Sequence, residues 1–341
     1  MDEIKVGVVG LGIGRSHARA VDGKQGAKLE ALCDVNKEFL DKFADTLGVV
    51  KRYTDFYEML KDDSISAYII ATPDNLHKDM VCAALKAGKD VLCEKPIALH
   101  SDECKEMIRT ADENGRLLMV GQVCRFAPGF KMAKKIIDEG MIGDLYFIES
   151  EYAHDYTEIR GWRTDPEMKR HPVTGGGCHA VDLVRWLANK DPVEAFSYSN
   201  KKVLVDWPCD DTTISLLKFD GDLIGKVYVS TGSKRDYTMR TVIYGTKGTI
   251  ICDNTSPHLS LYVEELAGMN KLLGDQMKHI AHKIPVKISS HNVVAEFDEF
   301  YNALVDRSTL KITAEEGART VAICEAIIKS SETGMPEKIE Y

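Results

Sequence analysis

Lys95 stands between Glu94 and Pro96 in the run Cys93-Glu94-Lys95-Pro96-Ile97-Ala98-Leu99, downstream of a glycine turn, Gly10-Leu11-Gly12-Ile13-Gly14. Proline fixes φ and biases the preceding lysine toward an extended conformation, which stiffens the turn. An ammonium fixed at the end of a strand can hold a substrate oxygen and stabilise negative charge on it. His179 follows Gly175-Gly176-Gly177 and opens a helix expected over residues 178–189. Three glycines let the backbone approach a ligand closely. A histidine near a helix N-terminus tends toward a lowered pKa, which suits a base at neutral pH. Asp182, three residues on and on the same face, is placed to pair with Lys95 or a substrate hydroxyl. A blander reading stays open, with His179 as a cap and Asp182 as a partner of the helix dipole. His154, Tyr237 and the Trp162-Arg163 pair are further polar candidates. His171, His258, His279, His282 and His291 read as surface residues.

The glycine turn follows a strand and opens a helix. Gly10, Gly12, Ile13 and Gly14 would let backbone N–H groups approach a pyrophosphate, with the helix dipole assisting. The spacing departs from strict GxGxxG, whose third glycine would stand at position 15. Asp34 ends the second strand, where a carboxylate accepts hydrogen bonds from adenosine ribose hydroxyls. The alternative is that Asp34 caps the next helix. A carboxylate repels a 2′-phosphate, so NAD is favoured, with Asn36 and Lys37 nearby leaving NADP open. Thr72-Pro73-Asp74-Asn75 closes the fourth strand. Asn75 suits a helix cap there, and Thr72 and Asn75 suit contacts to the cofactor ribose. Glycine turn and lysine together point to a nicotinamide-dependent enzyme acting on a hydroxyl or a carbonyl.

The first 120 or so residues alternate strand and helix, as repeated βα units do, so a doubly wound parallel sheet is expected. Strands are expected at 4–9, 29–33, 67–71, 90–93 and 116–120, with a short third strand before a helix near 54–60. Helices are expected from Gly14, over 37–47, over 75–87, and from a cap at Ser101. After Gly121 the pattern changes. Pro128 suits the first turn of a helix ending near Gly140. Strand-like runs follow at 144–153, 193–202, 212–219, 223–230, 238–244, 249–252 and 259–263, separated by turn signals. Successive strands imply a largely antiparallel sheet in an α+β second domain. Helices near 291–306 and after a capping box at Thr313–Glu316 close the chain. Residues 264–290 carry no clear signal. The boundary is drawn at 122/123, giving a cofactor domain over 1–122 and a substrate and oligomerisation domain over 123–341, with room for the last helices to pack back on the first.

The chain has 341 residues, 44% hydrophobic and 28% charged, with a formal net charge of −9. That balance, without a long basic run, argues against nucleic acid or an anionic membrane as the main partner. No run approaches a membrane span, and the first strand begins too early for a signal peptide, so a cytoplasmic protein is expected. The nine cysteines form no CxxC pair. They are expected as small buried apolar residues. Cys178 beside His179 lacks further ligands at metal spacing, so no metal is expected.

Taken together, several stretches resemble the Gfo/Idh/MocA oxidoreductases: the Gly10 turn, Asp34, Thr72-Pro73 with His77, Ala87-Gly88-Lys89-Asp90-Val91-Leu92-Cys93-Glu94-Lys95-Pro96, Arg125-Phe126, and Gly175-Gly176-Gly177-Cys178-His179-Ala180-Val181-Asp182. The resemblance runs over essentially the whole chain. It implies an N-terminal Rossmann domain and a C-terminal domain whose large open sheet makes a subunit interface, in a homodimer or homotetramer. It implies NAD(P) and a sugar, polyol or related substrate. By it, Lys95 matches the family's active-site lysine and His179 its histidine acid/base. His77, Glu94, Gln122, Trp162 and Arg163 fall with the cofactor residues, Trp162-Arg163 facing cofactor or substrate. His154 and Tyr237 line the substrate pocket. Many polyol dehydrogenases of the family carry an aspartate four residues before that histidine, where this chain has Gly175. A simpler proton relay, or Asp182 or Asp155 in its place, is then needed.

The leading expectation is a dehydrogenase in which His179 removes a hydroxyl proton while Lys95 stabilises the developing alkoxide. The alternatives are a redox-neutral NAD enzyme (epimerase, lyase or glycosidase by transient oxidation) and a dinucleotide-binding regulator without turnover.

Overall fold

The computed structural model describes residues 3–168, 170–263 and 280–341. The chain forms two compact units, Met1–Gln122 with Asn292–Val321, and Val123–His291 with Ala322–Tyr341.

The first unit is built on six strands, β1 (Ile4–Val9), β2 (Ala27–Cys33), β3 (Lys51–Tyr53), β4 (Ala67–Ile70), β5 (Asp90–Glu94) and β6 (Leu118–Gly121). All pairs are parallel, in the order β3-β2-β1-β4-β5-β6. This is the order of the dinucleotide-binding fold. Val6, Val8, Ile69, Leu92 and Cys93 are wholly enclosed. Strands covered on both faces need such continuous apolar runs. The helices α1 (Gly14–Asp22), α2 (Lys37–Leu47), α3 (Phe56–Met59), α4 (His77–Lys86) and α5 (Ser101–Asn114) follow successive strands. Asn36 caps α2 by accepting the Phe39 N–H at 3.0 Å, and Gly48 ends it in the left-handed conformation. The cap of α5 is His100 rather than Ser101, because Glu103 turns back to accept the His100 N–H at 3.2 Å. Asn75 caps no helix and lies exposed in a single 3₁₀ turn.

A late helix, α8 (Val293–Asp306), also belongs to this unit. It buries Phe297, Phe300 and Leu304, and it packs against α1. Lys24 Nζ reaches Asp298 at 2.6 Å, and Arg307 reaches Asp90 at 2.9 Å.

In the second unit α6 (Pro128–Asp138) and α7 (Cys178–Ala188) pack on a nine-stranded sheet. Its strands are β7 (Leu145–Ala153), β8 (Pro192–Asn200), β9 (Thr212–Phe219), β10 (Ile224–Ser230), β11 (Thr238–Gly245), β12 (Gly248–Asp253), β13 (His258–Val263), β14 (His282–Pro285) and β15 (Glu337–Lys338). The order is β14-β13-β12-β11-β7-β10-β9-β8-β15, antiparallel except where β10 pairs with β7. The core holds Phe130, Leu183, Val184, Leu217, Phe219, Val227 and Ile243. β9 alternates strictly, turning Leu217 and Phe219 inward and leaving Ile214 and Leu216 on an open face. Helix α9 (Ala314–Thr333) contributes its first turns to the first unit and the rest to the second.

β14 and β15 carry no readable pattern in the sequence, since each is short and lies at a sheet edge. None of the nine cysteines forms a disulfide, and all but Cys209 are buried. Of the histidines expected at the surface, His171 is instead largely enclosed, its Nδ1 accepting the Val173 N–H at 3.2 Å. His279 lies outside the described residues. Among the described residues no helix is long and apolar enough to cross a membrane.

Candidate active site

In a parallel sheet ligands bind beyond the carboxyl ends of the strands. Gly10 follows β1, Asp34 follows β2, Thr72 lies just past β4, Lys95 follows β5 and Gln122 follows β6. Sequence separation of more than one hundred residues thus collapses onto one sheet edge.

Gly10 has φ +83°, and a Cβ there would sit 2.6 Å from the Ala71 carbonyl oxygen, so only glycine fits. A Cβ on Gly12 would meet nothing within 4 Å, which leaves open space over the turn. Asp34 does not cap α2. Its Oδ2 accepts the Leu11 N–H at 2.8 Å and its Oδ1 the Asn36 N–H at 2.9 Å, tying β2 to the glycine turn. A carboxylate has lone pairs left for further donors. Thr72 Oγ1 and Gln122 Oε1 are both enclosed without a hydrogen-bond partner among the described residues. Buried polar atoms normally find partners, so this edge is built for a polar ligand.

His77, expected among the cofactor residues, is a brace. It is fully enclosed, with Nδ1 2.9 Å from the Pro96 carbonyl and Nε2 3.0 Å from that of Thr72. Its ring therefore joins the turn after β4 to the turn after β5. The Lys95–Pro96 peptide is cis. Glu94 is also braced inward, its Oε2 accepting the Lys95 N–H at 3.0 Å and its Oε1 lying 2.8 Å from His17 Nε2. Burial pushes the Glu94 carboxyl up, but the His17 hydrogen bond and the Lys95 charge outweigh it and hold it below the usual range.

In the second unit, the helical path into α7 begins earlier than the sequence indicates. A π turn, Val173–Gly177, runs directly into α7, with Gly177 itself in the right-handed helical region. His179 is therefore past the first turn of a continuous helical segment, away from its N-terminal dipole. The glycines admit side chains rather than a ligand. A Cβ on Gly175 would fall 2.1 Å from Arg170 Nη1, and one on Gly176 2.3 Å from the Tyr152 hydroxyl. Arg170 Nη2 also donates to the Gly175 carbonyl at 3.0 Å. The guanidinium thus fills the space that a side chain at position 175 would take.

Asp182 does not face substrate. Arg125 Nε and Nη2 donate to its two carboxylate oxygens at 2.8 and 2.6 Å, and the pair is buried. Asp155 is likewise engaged locally. Its hydrogen bonds from Thr157 and Lys234 hold it at about 2.

Around His179 the structure gathers aromatic rings. Its imidazole lies 5.4 Å from that of His291, which stacks on Tyr237 at 5.6 Å. Tyr237 meets His154 at 5.1 Å and Tyr152 at 5.6 Å, and His154 meets Tyr156 at 4.8 Å. Tyr237 keeps a buried hydroxyl without a partner among the described residues, and burial pushes that phenol well up. Burial, then the Arg163 charge, pulls His154 down, so it is neutral at pH 7. Donor atoms of Cys124, His179 and His291 lie within 4.8 Å of one another. His291 is exposed, as expected, yet its role in this cluster has no signal in the sequence, because it stands 112 positions from His179. Trp162 is flanked by the guanidinium carbons of Arg163 at 5.1 Å and Arg170 at 4.9 Å.

Residues 4–122 match the oxidoreductase family with NAD-binding Rossmann fold, and residues 130–251 match the GFO/IDH/MocA C-terminal domain. The chain belongs to the Gfo/Idh/MocA family of oxidoreductases. Within the family it is 31% identical to the scyllo-inositol 2-dehydrogenase (NAD(+)) of Bacillus subtilis over 258 residues, 73% of each chain. It is 29% identical to the myo-inositol 2-dehydrogenase of Thermotoga maritima over 262 residues, 74% of this chain and 75% of the other. Levoglucosan dehydrogenase solved with NADH has the same fold, with TM-score 0.87 and 20% identity over 99% of this chain and 100% of that one. The matched N-terminal domain is an NAD-binding Rossmann fold, and the open turn at Gly12 with the Thr72 and Gln122 atoms that lack partners among the described residues fits that cofactor.

Proposed function

We propose that this oxidoreductase is a dehydrogenase that oxidises a secondary hydroxyl of a sugar or polyol to a carbonyl. The observation that carries the reading is the sheet edge that gathers the glycine turn, Asp34, Thr72, Lys95 and Gln122. Gly10, Gly12, Ile13 and Gly14 would hold the pyrophosphate, Asp34 the adenosine ribose, and Thr72 and Gln122 the nicotinamide half. Bound there, NAD would supply the acceptor for the hydride of the carbinol carbon.

His179 takes the hydroxyl proton, and Lys95 stabilises the negative charge that develops on the same oxygen. In the reverse direction His179 returns the proton to the carbonyl oxygen. The rings of Tyr152, His154, Tyr156 and Tyr237 favour a ring whose C–H face stacks on aromatics. The inositol dehydrogenases among the relatives support a neutral polyol. Tyr198, Ile214 and Leu216, 65%, 42% and 51% exposed on the open face of the sheet, support association of two or four copies. Nine cysteines without a disulfide support a cytoplasmic setting.

The test is nicotinamide absorbance with NAD, and separately NADP, against inositols, aldoses, sugar acids, and deoxy and amino sugars. A substrate-dependent rise in reduced cofactor is expected with a polyol or sugar and NAD. Silence across the panel, with NAD bound tightly in the purified protein, would overturn the dehydrogenase in favour of redox-neutral chemistry.

A further inference from the structure

Behind the Lys95 turn lies a second carboxyl that the reaction does not use. Glu296, on α8, has 0% exposure, and neither of its carboxyl oxygens has a hydrogen-bond partner among the described residues. Its Oε2 is 4.0 Å from His17 Nε2, the same nitrogen that lies 2.8 Å from Glu94 Oε1. The groups facing it are His17 from α1, and Glu94 and Lys95 from the end of β5.

An ionised carboxylate enclosed without hydrogen bonds is among the costliest arrangements in a protein, and such a group takes up a proton instead. Two carboxyls sharing one enclosed site do not both ionise near neutrality. The surroundings break the tie between them. Glu94 has the His17 bond and the Lys95 N–H, whereas burial and the Glu94 charge both push Glu296 well up.

We propose that Glu296 is a positioning residue for Lys95: held as the uncharged acid beside His17 and Glu94, it leaves Glu94 the one ionised carboxylate of the cluster, free to hold the Lys95 main chain. This rests on the role given to Lys95 above. If Glu296 ionises in alkali, the second enclosed negative charge repels Glu94 and loosens its hold on the Lys95 N–H. Glutamine at 296 has the shape of the acid but cannot ionise.

Infrared spectra of the whole protein, with isotope-labelled glutamate, read the proton without turnover. At pH 7 the wild type should show a carbonyl stretch from a neutral glutamic acid, absent from Glu296→Gln. The variant should keep kcat within about threefold of wild type, because glutamine keeps the shape and the uncharged state and breaks none of the hydrogen bonds described for the site. Its kcat should also lack the alkaline step at which the wild-type band disappears, a change that a purely structural role would not produce. No neutral-acid band in the wild type would overturn the proposal, and so would a Glu296→Gln protein as inactive as Lys95→Met. Should Glu296→Gln fail to fold, the band in the wild type and its coincidence with the alkaline step of kcat decide the matter. Lys95→Met separates this from the reading it rests on: the band present with turnover intact would refute the role of Lys95, and the positioning role with it.

Discussion

Arg125 grips both carboxylate oxygens of Asp182 inside a pair that leaves 5% and 1% of the two side chains exposed. The carboxylate is therefore part of the scaffold that holds α7, not a group turned toward substrate. Removing one partner of such a pair strands the other charge and costs about 3–5 kcal/mol. Asp182→Ala should lower the thermal midpoint by on the order of 10 °C, with NAD affinity unchanged. An unchanged midpoint with turnover abolished would return Asp182 to the reacting groups.

Asp34 ties the glycine turn to β2, and in the proposed function its remaining lone pairs would accept from the adenosine ribose. Asp34→Ser should weaken NAD binding by about tenfold, equivalent to about 1.4 kcal/mol, and raise the affinity for NADP. Fluorescence titration with each cofactor measures it. A preference that does not move would show that Asp34 serves the turn alone.

What the sequence makes legible divides by the range of the interaction that fixes it. The parallel sheet and its edge residues are readable because each βα unit carries its own periodicity, and Gly10, Asp34 and Lys95 fall at strand ends that local pattern places. Asp182, His77 and the three glycines are misread because their partners are distant or concealed by type. Arg125 is 57 positions from Asp182. Arg170 and Tyr152 fill the space that the glycines leave, and an empty Cβ site does not say what enters it. Glu296 carries no signal at all, since helical spacing marks only the apolar face beside it.

Burial holds the His171 imidazole at about 4, against an ordinary value of 6.5, while the Asp210 charge acts weakly the other way. The unfolded chain therefore takes up this proton first as pH falls. Stability is full above about 6.5 and is lost progressively toward 4, to a total of about 3 kcal/mol. Thermal midpoints of wild type and His171→Asn between pH 7 and pH 4.5 should converge as the pH drops. Parallel curves would show that His171 does not titrate this way.

On the open sheet face Ile214 pairs across the strands with Tyr198, and Leu216 lies two residues along the same face. Leu216→Glu puts a charge in the middle of this apolar patch, which association would have to bury. Light scattering should show a multimer in the wild type and a smaller species in the variant, with the fold retained. A wild-type monomer would remove the patch as an interface.

The central claim is that Lys95 and His179 carry the chemistry while the glycine turn and Asp34 carry the cofactor. Lys95→Met and His179→Gln should each bind NAD with wild-type affinity and lose about 10²–10⁴-fold in kcat, the range for a positioned acid–base group. Turnover at the wild-type rate in both variants would contradict the account.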